Sequence, residues 1–190
     1  MTESMEWLSD MDDLIYDEEQ QKEDELRLEI RLKEAVIEGD WQASLLNMAE
    51  IYRQEEKPEE AMSIYREMEQ EYLYQGIVLD HRLGELYHHM MMTSQETGNR
   101  KEALYCGKRA IEILEQLPEY SGECAAACAH LAGIWMSFPA LDEDRLTEAL
   151  ELYEKALSMM EGSPEKNMSN EYEEIEENIR RIREFLDHGC

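Results

Sequence analysis

Three side chains able to bind a metal, His81, Glu85 and His88, recur at i, i+4 and i+7, and a helix would bring all three to one face. Imidazole and carboxylate donors hold zinc or another divalent ion when at least three of them close on one point. Three successive turns of a single helix do not converge in that way, so the trio reads as the polar lining of a surface. His89 is adjacent and points to another side of the same helix. Cys124 and Cys128 form the second candidate pair, one turn apart in Glu123-Cys-Ala-Ala-Ala-Cys-Ala-His130. Their neighbours are small, as in a tightly packed helix where cysteine serves as a small apolar residue. The other two cysteines are Cys106 and Cys190; no C-x-x-C spacing occurs, and a chain of this size in a reducing compartment has no need of a disulfide framework. Cys190 is terminal and is expected to cross-link on storage.

Signatures of known chemistry are missing as well. The sequence contains no phosphate-cradling glycine loop, no G-x-S-x-G, no H-E-x-x-H and no kinase pattern. Paired carboxylates abound, but among 46 acidic residues such pairs arise by chance. The expectation is therefore no catalytic residue, no metal ligand set and no cofactor.

The elements that carry these residues are helical. The 190 residues are 43% hydrophobic with only 9 Gly, 4 Pro and 2 Phe, and the good helix formers Glu, Leu, Ala, Met and Arg dominate. No alternating run of Val, Ile and Thr marks a strand, and no apolar run has the length of a membrane span. A formal charge of −28, from 46 acidic and 18 basic residues, repels phosphate backbones and anionic lipid, which argues against nucleic-acid and membrane-surface binding. It describes either a plain solvated surface or a preference for a basic partner. Met1 to Asp13 has neither the basic nor the apolar stretch of a secretory signal, so the chain is expected to be cytoplasmic.

A pattern then repeats three times. Met48, Ala49 and Tyr52 precede Ala61, Tyr65 and Met68; Leu83, Gly84 and Tyr87 precede Ala103 and Ala110; Leu131, Ala132 and Trp135 precede Ala149, Tyr153 and Ala156. Small residues let two helices approach while large ones fill the space beside them, so each copy reads as a helical hairpin that must stack on others to bury its apolar face. From aromatic to alanine the separations are 9, 16 and 14 residues. The excess in the second copy equals about two helical turns and implies a longer first helix, whereas Pro139 in the third implies a loop insertion. Gly107 stands where the second copy should carry its aromatic, which leaves that contact thin.

These residues resemble the tetratricopeptide repeat (TPR) over roughly residues 41–162, with the longer repeats similar to those of kinesin light chains and of some bacterial peptide-sensing regulators. The resemblance implies an all-α superhelical solenoid of about three hairpins, whose first helices line a concave groove for a partner segment. Its register would place in the groove Ala43, Leu46, Glu50 and Arg53, then Val78, His81, Glu85 and His88, then Ala126, Ala129, Gly133 and Met136. Members that clamp a terminal carboxylate use Lys, Arg and Asn there. Here Arg53 stands alone among Glu50 and Glu85, so an apolar or mildly basic peptide fits better than an acidic tail. If two of the histidines titrate in their ordinary range, they would strengthen peptide binding near pH 6.

Flanking segments complete the organisation. Residues 1–21 form an acidic leader, with eight acids and no Lys or Arg in the first 20 positions, yet Trp7, Met11, Leu14 and Ile15 fall on one helical stripe. The leader either packs on the first repeat or is a tethered ligand for a groove of its own or a neighbouring molecule. Residues 22–40 form a leading helix with Leu28, Leu32 and Ala35 aligned and Gly39 as its stop. Residues 163–170 are a linker, and 171–190 a C-terminal capping helix with Tyr172, Ile175, Ile179, Ile182 and Leu186 on one side. Read together, the chain is an acidic scaffold that binds a protein or peptide segment. The alternative is a ligand- or peptide-responsive regulatory receptor; a metal-binding protein or enzyme comes third.

Overall fold

The computed structural model describes residues 41–139, 142–160 and 170–188; the acidic leader, the leading helix, most of the 163–170 linker and Cys190 lie outside them. Among the described residues there are seven α-helices, one short 3-10 turn and no strand. The helices are α1 (Trp41–Gln54), α2 (Pro58–Tyr74), α3 (His81–Glu96), α4 (Arg100–Leu114), α5 (Ser121–Met136), α6 (Glu143–Met160) and α7 (Asn170–His188).

Local chemistry sets their ends. Pro58 opens α2 with a preset φ and no wasted donor, followed by Glu59 and Glu60 near the positive end of the helix dipole. Asp80 caps α3 by accepting the Arg82 N–H at 2.9 Å, and Asn99 caps α4 by accepting the Glu102 N–H at 3.3 Å. Left-handed residues stop α1 and α3: Glu56 at φ 59° and Gly98 at φ 74°. Beyond each, the chain folds back so that Lys57 N–H donates to the Tyr52 carbonyl and Asn99 N–H to the Ser94 carbonyl, both at 2.8 Å.

Helices α1 and α2, α3 and α4, and α5 and α6 pack as antiparallel pairs, and each second helix also packs on the first helix of the next pair, with α7 closing the series on α6. The outcome is the expected stack of hairpins around one continuous core. Ala49, Ala61, Ala103, Ala132 and Ala149 are wholly buried at the crossings, and Gly84 is buried as well, where a Cβ would stand 2.6 Å from Leu114. On α7, Ile175, Ile179 and Ile182 are buried and Leu186 is half-buried, while the Glu and Arg faces remain outside.

The register of the second copy differs from the sequence expectation. The matching fold-back bonds make Ser94 the counterpart of Tyr52, two residues from the end of its helix in both copies. Ser94, not Tyr87, therefore stands where Trp135 stands in α5, and α3 is no longer than α5. The residue one turn before it at the helix crossing is Met91, the counterpart of Ala49 and Ala132. The reason for the misreading is a volume swap. A Cβ on Gly107 would lie 2.6 Å from the Met91 sulfur and 2.7 Å from Leu131 Cδ1. A large side chain on α3 thus fills the room that Tyr65 and Tyr153 fill from the opposite helix in the other hairpins, and the contact at Gly107 is full rather than thin.

The third copy places its extra residues partly in the turn between α5 and α6, where Pro139 lies, and partly in an earlier start of α6: Ala149 is the seventh residue of its helix, whereas Ala61 and Ala103 are the fourth of theirs. Phe138 folds back from that turn onto Trp135, with ring centroids 5.5 Å apart. The guanidinium groups of Arg145 and Arg100 cover its ring at 4.7 and 5.5 Å.

Candidate functional site

The inner side of the stack is built from the first helix of each hairpin, since α3 touches α5 directly and His88 reaches across to His130. On α1, Leu46 is half-buried against the core, Ala43 is exposed, and Glu50 and Arg53 are half-buried. The Arg53 guanidinium is held from two sides, by Glu50 at 2.8 Å and by Glu96 of α3 at 3.0 Å. Those carboxylates raise its pKa against the opposing cost of burial. The one groove cation expected from the sequence is therefore already neutralised within the protein.

The α3 residues spread along the helix and do not converge. His81, the first residue of α3, stacks on Tyr120 with ring centroids 4.1 Å apart and planes at 4°. Glu85 is half-buried, and burial, with Glu123 and Asp80 nearby, lifts its carboxyl above the usual range although His81 opposes this. His88 Nε2 lies 2.7 Å from His130 Nδ1, a single hydrogen bond in which one ring must be the donor. Burial, reinforced by His130, pushes His88 down to about 3. His88 consequently carries no charge near pH 6, and the expected gain in binding there does not come from it. No group of three His, Cys, Asp or Glu among the described residues is placed to hold a metal ion.

One expectation needs correction. Val78 does not line the inner face: it sits in the connector before α3, 64% exposed, because the second copy was read in the wrong register. Met92 and Gln95 are instead the counterparts of Glu50 and Arg53. His89, one residue beyond His88, faces the first hairpin. It stacks on Tyr65 at 5.9 Å between centroids, with Nδ1 4.0 Å from Glu50, and burial lowers its pKa although Glu50 opposes the shift. His130 is the residue sequence reasoning passed over; its signal was its place on the next first helix, a position judged only for packing.

On α5 the floor is small. Ala126 and Gly133 are half-buried, Ala129 is 9% exposed and Met136 is half-buried at the end. An added Cβ on Gly133 would meet only the Tyr153 hydroxyl, at 3.7 Å. The neighbouring cysteines, Cys124 and Cys128, are fully buried, and the hydrogen bond that the Cys128 thiol donates to Cys124, together with burial, pushes the Cys128 thiol up, so both are packing residues. Among the described residues, no helix is long and apolar enough to cross a membrane.

No family model matches the sequence, and no curated protein matches it. Solved structures share its fold. BtubC (BKLC) from P. vanneervenii superposes with a TM-score of 0.60 at 13% identity, over 80% of this chain and 66% of that one, so this chain spans about two thirds of its length. A Podospora anserina putative kinesin light chain with nearly identical TPR-like repeats gives 0.58 at 17% identity, over 90% and 82%. MamA gives 0.52 at 18% identity, over 88% and 92%. At such identities the likeness establishes the fold, an all-α TPR-like solenoid.

Proposed function

We propose that this chain is a binding module, not an enzyme, and that it takes a protein or peptide segment along the inner face of its first helices. The observation that carries the reading is the continuity of that face. Leu46 and Glu50 of α1, Glu85, His88 and Met92 of α3, and Ala126, Ala129 and Gly133 of α5 follow one another across touching helices, and the small residues of α5 leave room over them. Such a surface suits an extended or helical segment whose apolar side chains settle on the floor. An apolar or basic segment fits better than an acidic one, because Arg53 is committed to Glu50 and Glu96 and burial keeps His88 neutral.

Affinity capture from cell lysate with the natural chain and with Ala126→Arg tests this. Ala126 is only half-buried, so a bulky charge there blocks the floor while the helix pair stays packed, which a thermal melt verifies. Partners held by the natural chain and lost by the variant are the expected outcome. Equal capture by both would move the site off the inner face.

A further inference from the structure

Four of the six large hydrophobic side chains that are exposed among the described residues fall in a single short stretch: Leu73 at 52%, Tyr74 at 88%, Val78 at 64% and Leu79 at 49%. They form the end of α2 and the connector to α3, and no charged residue occurs from Tyr72 to Leu79. Both flanking carboxylates are already engaged, Glu71 by the Gln75 amide at 2.6 Å and Asp80 by Arg82 at 3.2 Å. In a chain of 34% charged residues, such an uncharged apolar edge is a surface that something covers.

Position names the occupant. Arg82 bonds Gln42 at 2.8 Å, so the first turn of α1 lies beside the first turn of α3, and the chain enters the solenoid next to this patch. Forty residues precede Trp41. Their acidic leader carries an apolar stripe of its own in the sequence, Trp7, Met11, Leu14 and Ile15 at i, i+4, i+7 and i+8. The 25 residues between Ile15 and Trp41 reach on the order of 30 Å. A second copy would bring another −28 charge to the same surface. The leader adds no new molecule, and its tether gives an effective concentration of about millimolar, so even a weak apolar contact is occupied. We propose that the leader docks its Trp7, Met11, Leu14 and Ile15 stripe on the patch formed by Leu73, Tyr74, Val78 and Leu79 of its own chain. The leader then extends the solenoid at the connector edge and leaves the inner face free.

Amide hydrogen exchange on the full chain decides this, with the double variant Tyr74→Ser/Val78→Ser as partner measurement. Both positions are well exposed, and serine adds no charge that would itself repel the leader. Exchange across residues 5–16 should be at least about tenfold slower in the natural chain than in a synthetic peptide of residues 1–20, and the double variant should return it to the peptide's rate. Leu14→Ser should do the same from the other side of the contact. Three results overturn the proposal. One is exchange as fast as the peptide's in the natural chain. Another is protection that survives Tyr74→Ser/Val78→Ser, which would put the leader elsewhere, the inner face included. The third is protection that fades on dilution, which would make the occupant another copy.

Discussion

The first and third hairpins of this solenoid and the second hairpin reach the same helix crossing with opposite distributions of volume. In the outer two, a small residue on the first helix, Ala49 or Ala132, lies under an aromatic on the second, Tyr65 or Tyr153, and all four are buried. In the middle one, Met91 is large and Gly107 has no side chain, yet the crossing is just as closed, with Met91 and Leu131 crowding the space over the glycine. What the repeat requires is therefore a pair volume, not a residue at either position. Cores tolerate such exchanges when total volume and shape are kept.

The largest expected effect tests this pairing. Met91→Ala removes a wholly buried side chain opposite a glycine, which has no side chain of its own to fill the gap, and should cost about 2 to 5 kcal/mol in a denaturant titration. Gly107→Tyr alone should overpack the same space against Met91 and Leu131. The double variant Met91→Ala/Gly107→Tyr rebuilds the arrangement of the outer hairpins and should be more stable than the sum of its parts, with a coupling of about 0.5 to 3 kcal/mol. Strict additivity would show that the two positions are not one contact.

A second test uses a difference in polarity. Where the first hairpin carries Leu46 and Asn47, the second carries His88 and His89. His88 faces His130 and His89 with Arg53 nearby, and His130 in turn feels Glu171 and Glu174. Burial holds the folded pKa of His88 near 3, below its unfolded value of 6.5. As pH falls below 6.5 the unfolded chain takes up a proton that the folded chain refuses. The stability tied to this group is thus complete above pH 6.5 and is lost progressively toward pH 3, at a slope of at most about 1.4 kcal/mol per pH unit. His88→Gln should flatten the stability curve over that window relative to the natural chain. The carboxylates common to both chains cancel in the difference, and parallel curves would place the imidazole in an ordinary environment.

The smallest effect concerns the stops after α1 and α3. Glu56 adopts at φ 59° the left-handed conformation that Gly98 adopts at φ 74° in the next hairpin. A side chain costs about 1 to 2 kcal/mol there, so Glu56→Gly should raise the melting midpoint slightly and Gly98→Ala should lower it. Equal shifts of one sign would mean that the two turns are not equivalent.

Much of this architecture was legible in residue spacing. The recurring alanines identified the buried faces of all three hairpins, because a small residue on one helix makes room for a large one on its neighbour. Lys57-Pro58, Gly98-Asn99 and the stretch around Pro139 marked the turns, because each constrains the backbone or frees it whatever surrounds it. The inner face was half legible. Glu50, Arg53, Glu85 and His88 could be picked by period, but Val78 was misplaced with the register of the second copy, and the roles of His89 and His130 depend on Tyr65, Glu50 and His88, which are distant in sequence.

By itself, then, the sequence determined an all-helical hairpin array, its turns and its acidic surface, since periodicity, backbone preference and charge are properties of short segments. Tertiary structure alone decided which second-copy residues are the true counterparts of Ala49 and Tyr52, that Arg53 is spent on Glu50 and Glu96, and that His88 is held neutral against His130. Each of these rests on volumes, charges or protons shared between side chains of different helices, Met91 with Gly107, Arg53 with Glu96 and His88 with His130, and no local pattern encodes a shared quantity.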